Sequence, residues 1–267
     1  MTNAIRAELI KMRTMPGVWV TLCLALPLTV LVIVGVLVAA GDSVPGHTFN
    51  HVHTVRQQRE LLGAGYFGIL VLAPIMGVLC VTGEYRHKTI TTTFVLVPLR
   101  DRVLVAKVAA TALWAILIGL VTLATVAAVA LPWNAGLGGV TTQVTDQAGA
   151  VVPGLLASAV LLGLFGLGFG TLVKNQVAAI LLTIGGSLIL ESLLVALARA
   201  IFHYDLNWLP NAAGAALAGD IARGFGGGGG RGGERLLQWW QGGLVMLAWG
   251  LVPLAIGYYT TFRRDVT

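Results

Sequence analysis

Charge is scarce in this chain. Asp, Glu, Lys and Arg make up 10% of its 267 residues, against 57% hydrophobic residues. Soluble domains carry about 25% charged and about 45–50% apolar residues, so too few polar side chains are present here to clothe a water-facing surface. Cysteine is equally sparse. Cys23 and Cys80 both sit inside apolar stretches, which argues against a disulfide framework or a cysteine-based zinc site and leaves both as small buried hydrophobes. No Gly-Lys dipeptide occurs, so the phosphate-cradling loop that ends in Gly-Lys-Ser/Thr is missing. A nucleophile elbow, a His-Glu-x-x-His pair and paired carboxylates on one face are missing too, and a membrane-embedded enzyme is a weak reading.

What the chain has instead is long apolar runs, with a mean hydropathy of +0.86. A bilayer core about 30 Å thick needs roughly 20 apolar residues of helix. Such stretches lie near residues 17–40, 61–82, 103–131, 153–173, 177–198 and 242–262. The region 153–198 is interrupted only by Lys174, Asn175 and Gln176; one continuous helix there would be roughly twice the bilayer thickness, so a hairpin turning at Lys174 is expected. The runs are continuously apolar and do not alternate as barrel strands do. The expected fold is all-α, a single polytopic membrane domain of six spans.

Lys and Arg number 17 against 11 Asp and Glu, a formal charge of +6. With the N-terminus inside, eleven cations fall on the inner side: Arg6, Lys11, Arg13, Arg86, Lys88, Arg100, Arg102, Lys107, Lys174, Arg263 and Arg264. Six fall outside: Arg56, Arg59, Arg199, Arg223, Arg231 and Arg235. The positive-inside rule then places both termini in the cytoplasm, and the basic face suits anionic lipid head groups better than nucleic acid. Val38-Ala39-Ala40 before Gly41 resembles a signal-peptidase site, but the apolar run is longer than a signal core and follows a long polar lead, so it reads as a retained span. Residues 1–16 carry Ile5, Leu9 and Met12 at helical spacing, with Arg6, Lys11 and Arg13 on other faces, and end at Pro16-Gly17. This pattern predicts an amphipathic helix lying along the inner membrane surface.

Few groups inside the spans can do chemistry. Glu191 is the one acid well within a predicted span, toward the outer end of the fifth. A buried carboxylate needs a partner, which makes Glu191 a candidate for the transport path or for a helix interface, with Arg199 as one possible counter-ion. So little intramembrane charge disfavours a proton- or sodium-driven carrier, and energy for pumping would have to come from another chain. His47, His51 and His53 cluster in the first outer loop without a cysteine and read as a polar loop more readily than as a metal site. The outer segment 199–241 contains a glycine-rich run, 224–235, that reads as a linker, and Pro210 opens a short outer or re-entrant helix. Gly163, Gly166, Gly168 and Gly170 in the fourth span, and Gly185 and Gly186 in the fifth, are candidates for close helix packing or for helix movement.

The densest charged patch follows the second span: Gly83-Glu84-Tyr85-Arg86-His87-Lys88-Thr89-Ile90, a threonine run, then Pro98-Leu99-Arg100-Asp101-Arg102 and Ala106-Lys107. Together with the basic start Glu8-Leu9-Ile10-Lys11-Met12-Arg13 and the Leu209-Pro210 segment before the last span, it resembles the permease subunits of type-2 ATP-binding-cassette (ABC) exporters in their short six-helix bacterial form. The resemblance implies that 83–102 is a cytoplasmic coupling loop, with Glu84, Tyr85, Arg86, His87, Lys88 and Thr89 on the surface that docks on an ATPase subunit. Arg6, Glu8, Lys11 and Arg13 would lie beside it on an elbow helix. It further implies a bacterial cytoplasmic membrane, a second permease chain, ATP and magnesium held by the partner ATPase, and no cofactor on this chain. The apolar path suits a drug, antibiotic or lipid. A non-catalytic scaffold or immunity subunit and a secondary transporter are the alternatives.

Overall fold

The computed structural model describes residues 2–41, 55–90, 100–136, 141–203, 206–218 and 237–262, and among them every regular element is helical. Helix α1 (Thr2–Thr14) is followed by α2 (Pro16–Gly41), α3 (Val55–Arg86), α4 (Arg100–Gly136) and α5 (Thr141–Leu172). Next come α6 (Gln176–Gly185), a π-helical turn (Gly186–Leu190) and α7 (Glu191–Phe202), which together form one long rod. Short α8 (Pro210–Leu217) precedes α9 (Trp239–Gly257). Six of these units are long and apolar enough to cross a membrane: Pro16–Gly35, Gly63–Arg86, Arg100–Val129, Val151–Leu172, Gln176–Phe202 and Trp239–Thr260. The chain is a multi-pass membrane protein, and each crossing overlaps a run found in the sequence.

The hairpin between the fourth and fifth spans turns at Val173–Asn175. Asn175 is extended and its side chain accepts from the backbone N–H groups of Val177 (3.0 Å) and Ala178 (3.3 Å), which starts α6. The second span reaches further than its hydrophobicity suggested. Gly83 to Arg86 form the last turn of α3 rather than a loop, and Arg100 already belongs to α4. Polarity alone would have ended α3 at Thr82; the helix continues because Glu84 finds charged partners described below. The threonine run and Pro98, residues 91–99, lie outside the described residues, as do His47, His51, His53 and the glycine-rich 224–235.

Helix α3 is the axle of the bundle, and α5 lies along it. Lipid gives apolar helices no reason to prefer each other over hydrocarbon, so close approach depends on small residues. A Cβ on Gly77 would stand 2.0 Å from the carbonyl oxygen of Gly163, and one on Gly166 would stand 2.0 Å from that of Pro74. Gly170 meets Val78 in the same way, whereas Gly168 faces α9 at Gly250 and Pro253. The glycines of the fourth span therefore serve close packing. Gly185 and Gly186 do not, because a Cβ on either meets nothing within 4 Å. Tyr66, Ile69, Leu70, Leu155, Ala159, Leu162, Ala213 and Met246 fill one end of the core; Met12, Val18, Met76, Val81, Ile118 and Leu254 belong to a second cluster reaching the α1 end.

Candidate functional site

Helix α1 does not simply lie on the bundle. Its face built from Leu9 and Met12 also carries Glu8, one turn before Met12, and Glu8 is as buried as Met12. Glu8 meets two lysines there: Oε1 accepts from Lys11 Nζ at 2.9 Å and Oε2 from Lys107 Nζ at 3.0 Å. Both ammonium groups also reach Glu84 Oε1, Lys11 at 2.7 Å and Lys107 at 2.9 Å. Two carboxylates and two ammonium groups thus form a closed, formally neutral quartet that joins α1 to the end of α3 and the start of α4. Lys107 spends its third hydrogen bond on the carbonyl of Cys80, 3.2 Å away, and is entirely buried. Glu84 Oε2 is buried and makes no hydrogen bond, so Glu84 acts in the quartet through Oε1 alone. Lys11 is the one member with substantial solvent contact, about a third of its side chain. Burial pulls its pKa down, but hydrogen bonds to Glu84 and Glu8 outweigh that, and the net shift is upward.

Directly after the quartet the chain turns. His87 N–H donates to the Gly83 carbonyl and Thr89 N–H to that of Glu84, closing the end of α3 with Lys88 in the left-handed region at φ 55°. Arg86, His87, Lys88 and Thr89 are exposed, Tyr85 is half-buried, and Glu84 points inward. The six residues singled out after the second span therefore separate: four form a cationic, solvent-facing turn, and Glu84 anchors that turn from behind. On α1, Arg6 and Arg13 are exposed, while Glu8 and Lys11 belong to the quartet. Sequence reasoning counted Lys107 among the topology-setting charges and in the patch after the second span, but missed its place between Glu8 and Glu84. The signal was available: a lone lysine two turns inside an apolar helix is costly unless a carboxylate is brought to it.

Glu191 lies at the opposite end, as follows from the alternating direction of the spans. Its two oxygens accept from the backbone N–H of Asn211 at 2.9 and 3.0 Å, and Oε1 also accepts from Ala212 N–H at 3.1 Å. These are the first free N–H groups of α8, whose own N-cap residue, Leu209, supplies no side-chain bond. Tyr66 of α3 donates to the Asn211 carbonyl at 3.1 Å, and Ser158 of α5 to that of Gly214 at 3.2 Å. These bonds set Glu191 at the contact between the fifth span and α8.

A family model described as ABC-2 family transporter protein matches residues 4–190. The chain belongs to the ABC-2 transporter family. It is accordingly an ABC permease subunit, a transport component embedded in a membrane. The matched region contains all four charges of the quartet and stops one residue before Glu191, so the quartet lies within the family's shared region while α7, α8 and α9 extend past it. A search of curated proteins returned no match.

Proposed function

We propose that this ABC-2 permease is the membrane half of an ATP-driven exporter, paired with a second permease chain and powered by two cytoplasmic ATPase subunits that hold ATP and magnesium. The α1 end of the bundle is its cytoplasmic end, in a bacterial plasma membrane. The ATPase docks on the exposed turn Arg86, His87, Lys88 and Thr89, beside Arg6 and Arg13 of the elbow helix α1. One observation supports this reading above the rest. The buried quartet ties that turn to α1 and α4, so a displacement of the turn is passed to three helices together instead of being absorbed in a loose loop. ATP-driven closure of the partner then favours one permease state through differential affinity. The cargo class is hydrophobic or amphipathic, a drug, antibiotic or lipid, in keeping with spans that carry almost no charge outside the quartet and Glu191.

The test is affinity capture of the gently solubilised chain from its native membrane, with an ATPase assay on the eluate. Recovery of a nucleotide-hydrolysing subunit, lost when Arg86 and Lys88 are both changed to Glu while the chain still inserts, supports docking at the turn. A chain that purifies alone without ATPase activity rejects the reading in favour of a scaffold or a gradient-driven carrier.

A further inference from the structure

The fifth span is built differently from the others. Only 22% of its most apolar window is buried, compared with 78% for the second span. Its regular helix is interrupted at Gly186–Leu190 by a π turn that begins at the second of two glycines, Gly185 and Gly186, whose Cβ positions face open space. Hydroxyls bracket the interruption. Thr183 and Ser187 bond the carbonyls of Ala179 and Thr183, and Ser192 bonds that of Leu188. Such back-bonding loosens and bends a helix, and π turns mark places where a helix can change its repeat. Beyond the π turn, α7 has few holds on the rest of the molecule. Apart from Glu191 and Val195, its side chains are half-buried or exposed, and Leu194, Leu197, Ala198 and Phe202 border an open apolar recess of about 410 Å³. Glu191 opens α7 and makes three hydrogen bonds from this half-span to α8.

Helix α8 is the reverse case. Seven of its eight residues, all but Ala212, are buried, and its backbone presses on α5 and α9: a Cβ on Gly154 would stand 2.5 Å from the Leu217 carbonyl, and one on Gly242 would stand 2.5 Å from that of Ala213. A well-seated short helix is thus joined to a loosely seated half-span by one carboxylate. That carboxylate grips the start of α8 through three charge-assisted bonds to backbone N–H groups, which no side chain can replace at equal strength without a negative charge.

We propose that Glu191 is a positioning residue of the transport cycle. It latches α8 to the outer half of the fifth span, so that hinging at Gly185–Leu190 pulls on α8 and, through it, on the α5 and α9 backbones packed against it. This role rests on the transport reading above; the tether itself does not.

Amide exchange of the full chain in lipid nanodiscs tests the tether without any partner. In Glu191→Gln, exchange at Asn211 and Ala212 should rise roughly tenfold to a hundredfold, the range expected for losing charge-assisted bonds, while 69–81 and 159–170 keep their protection. Unchanged protection of 210–217, or its loss throughout the bundle, overturns the assignment. The second arm uses the complex with its ATPase. Trapping nucleotide in the wild type should alter exchange in 186–203 and 210–217 together, and a response confined to 186–203 refutes the latch. Failure to capture an ATPase removes the transport reading and the role with it, whereas the first arm still decides whether Glu191 holds α8.

Discussion

Replacing Lys107 by Met keeps the length and apolar stem of the side chain and removes one charge from the quartet. Lys107 faces Glu8 at 3.0 Å and Glu84 at 2.9 Å. At an effective dielectric of 20, each contact carries on the order of 5 kcal/mol of Coulomb attraction before desolvation is subtracted. The variant leaves two buried carboxylates sharing Lys11 alone, so the site holds an uncompensated negative charge. Breaking a buried pair in this way typically costs about 3–5 kcal/mol. The companion variant Glu84→Gln/Lys107→Met removes one charge of each sign and keeps the Glu8–Lys11 pair at 2.9 Å; its expected cost is below about 2 kcal/mol, because neutral removal of a buried pair is often well tolerated. The single change should therefore be the more damaging, a reversal of the usual ordering. Equilibrium unfolding in mixed micelles, run as a double-mutant cycle on Glu84 and Lys107, reads the difference. A Lys107→Met protein within about 0.5 kcal/mol of wild type, or strict additivity in the cycle, would show that these charges are not buried together and would refute the reasoning.

Three further outcomes follow from the same geometry. Lys11 has a raised pKa in the folded chain, so its contribution to anchoring α1 is complete below the unfolded value of 10.5 and declines as pH rises through the folded value; amide exchange of α1 between pH 8 and 11 should show release in the wild type at the alkaline end and no such step in Lys11→Met. Gly166→Val should block assembly of α3 on α5, since even a Cβ at that position would lie 2.0 Å from the Pro74 carbonyl, whereas Gly185→Ala, with nothing within 4 Å, should leave thermal stability unchanged; a tolerated Gly166→Val would contradict the packing described. Lys88→Gly should raise stability by up to about 1 kcal/mol, because φ 55° is unfavourable for lysine, and a thermal shift downward would argue against that backbone.

The spans and the turn at Lys174 were legible because length and unbroken hydrophobicity are local properties, and lipid imposes them on each segment separately. The fourth-span glycines were legible for the same reason: small residues at helical spacing have one principal use in a bilayer. The burial of Glu84 was not. It stands among Arg86, His87 and Lys88, and local composition cannot distinguish the one charge in such a patch that faces inward. Its partners are Lys11, 73 residues before it, and Lys107 on the following helix, and no local pattern points to either. Glu191 was recognised as needing a partner, but that partner is a pair of backbone N–H groups 20 and 21 residues on, and backbone donors leave no mark in a sequence. Gly185 and Gly186 show the limit from the other direction: the residue type suggested contact, and the surrounding space decides against it.

The two charged clusters occupy opposite ends of one bundle for a common physical reason. Between α3, α5 and α9, glycine lets backbones touch, and packing alone holds the helices. Helices α1 and α7 contain no glycine and lack such seams. In lipid they gain little from apolar contact, since hydrocarbon would serve exposed side chains such as Ile10, Leu193 and Leu197 equally well. A polar contact is different, because releasing a carboxylate from its donors inside the bundle leaves a desolvated charge. Glu8 and Glu84 thus fix α1 at one end, and Glu191 fixes α7 to α8 at the other. An element held by packing along its whole length can shift only by disrupting many contacts at once. The α7 half of the fifth span, gripped at Glu191, can pivot about that point, and this is the property a permease needs in the parts that must move while α3 and α5 stay together.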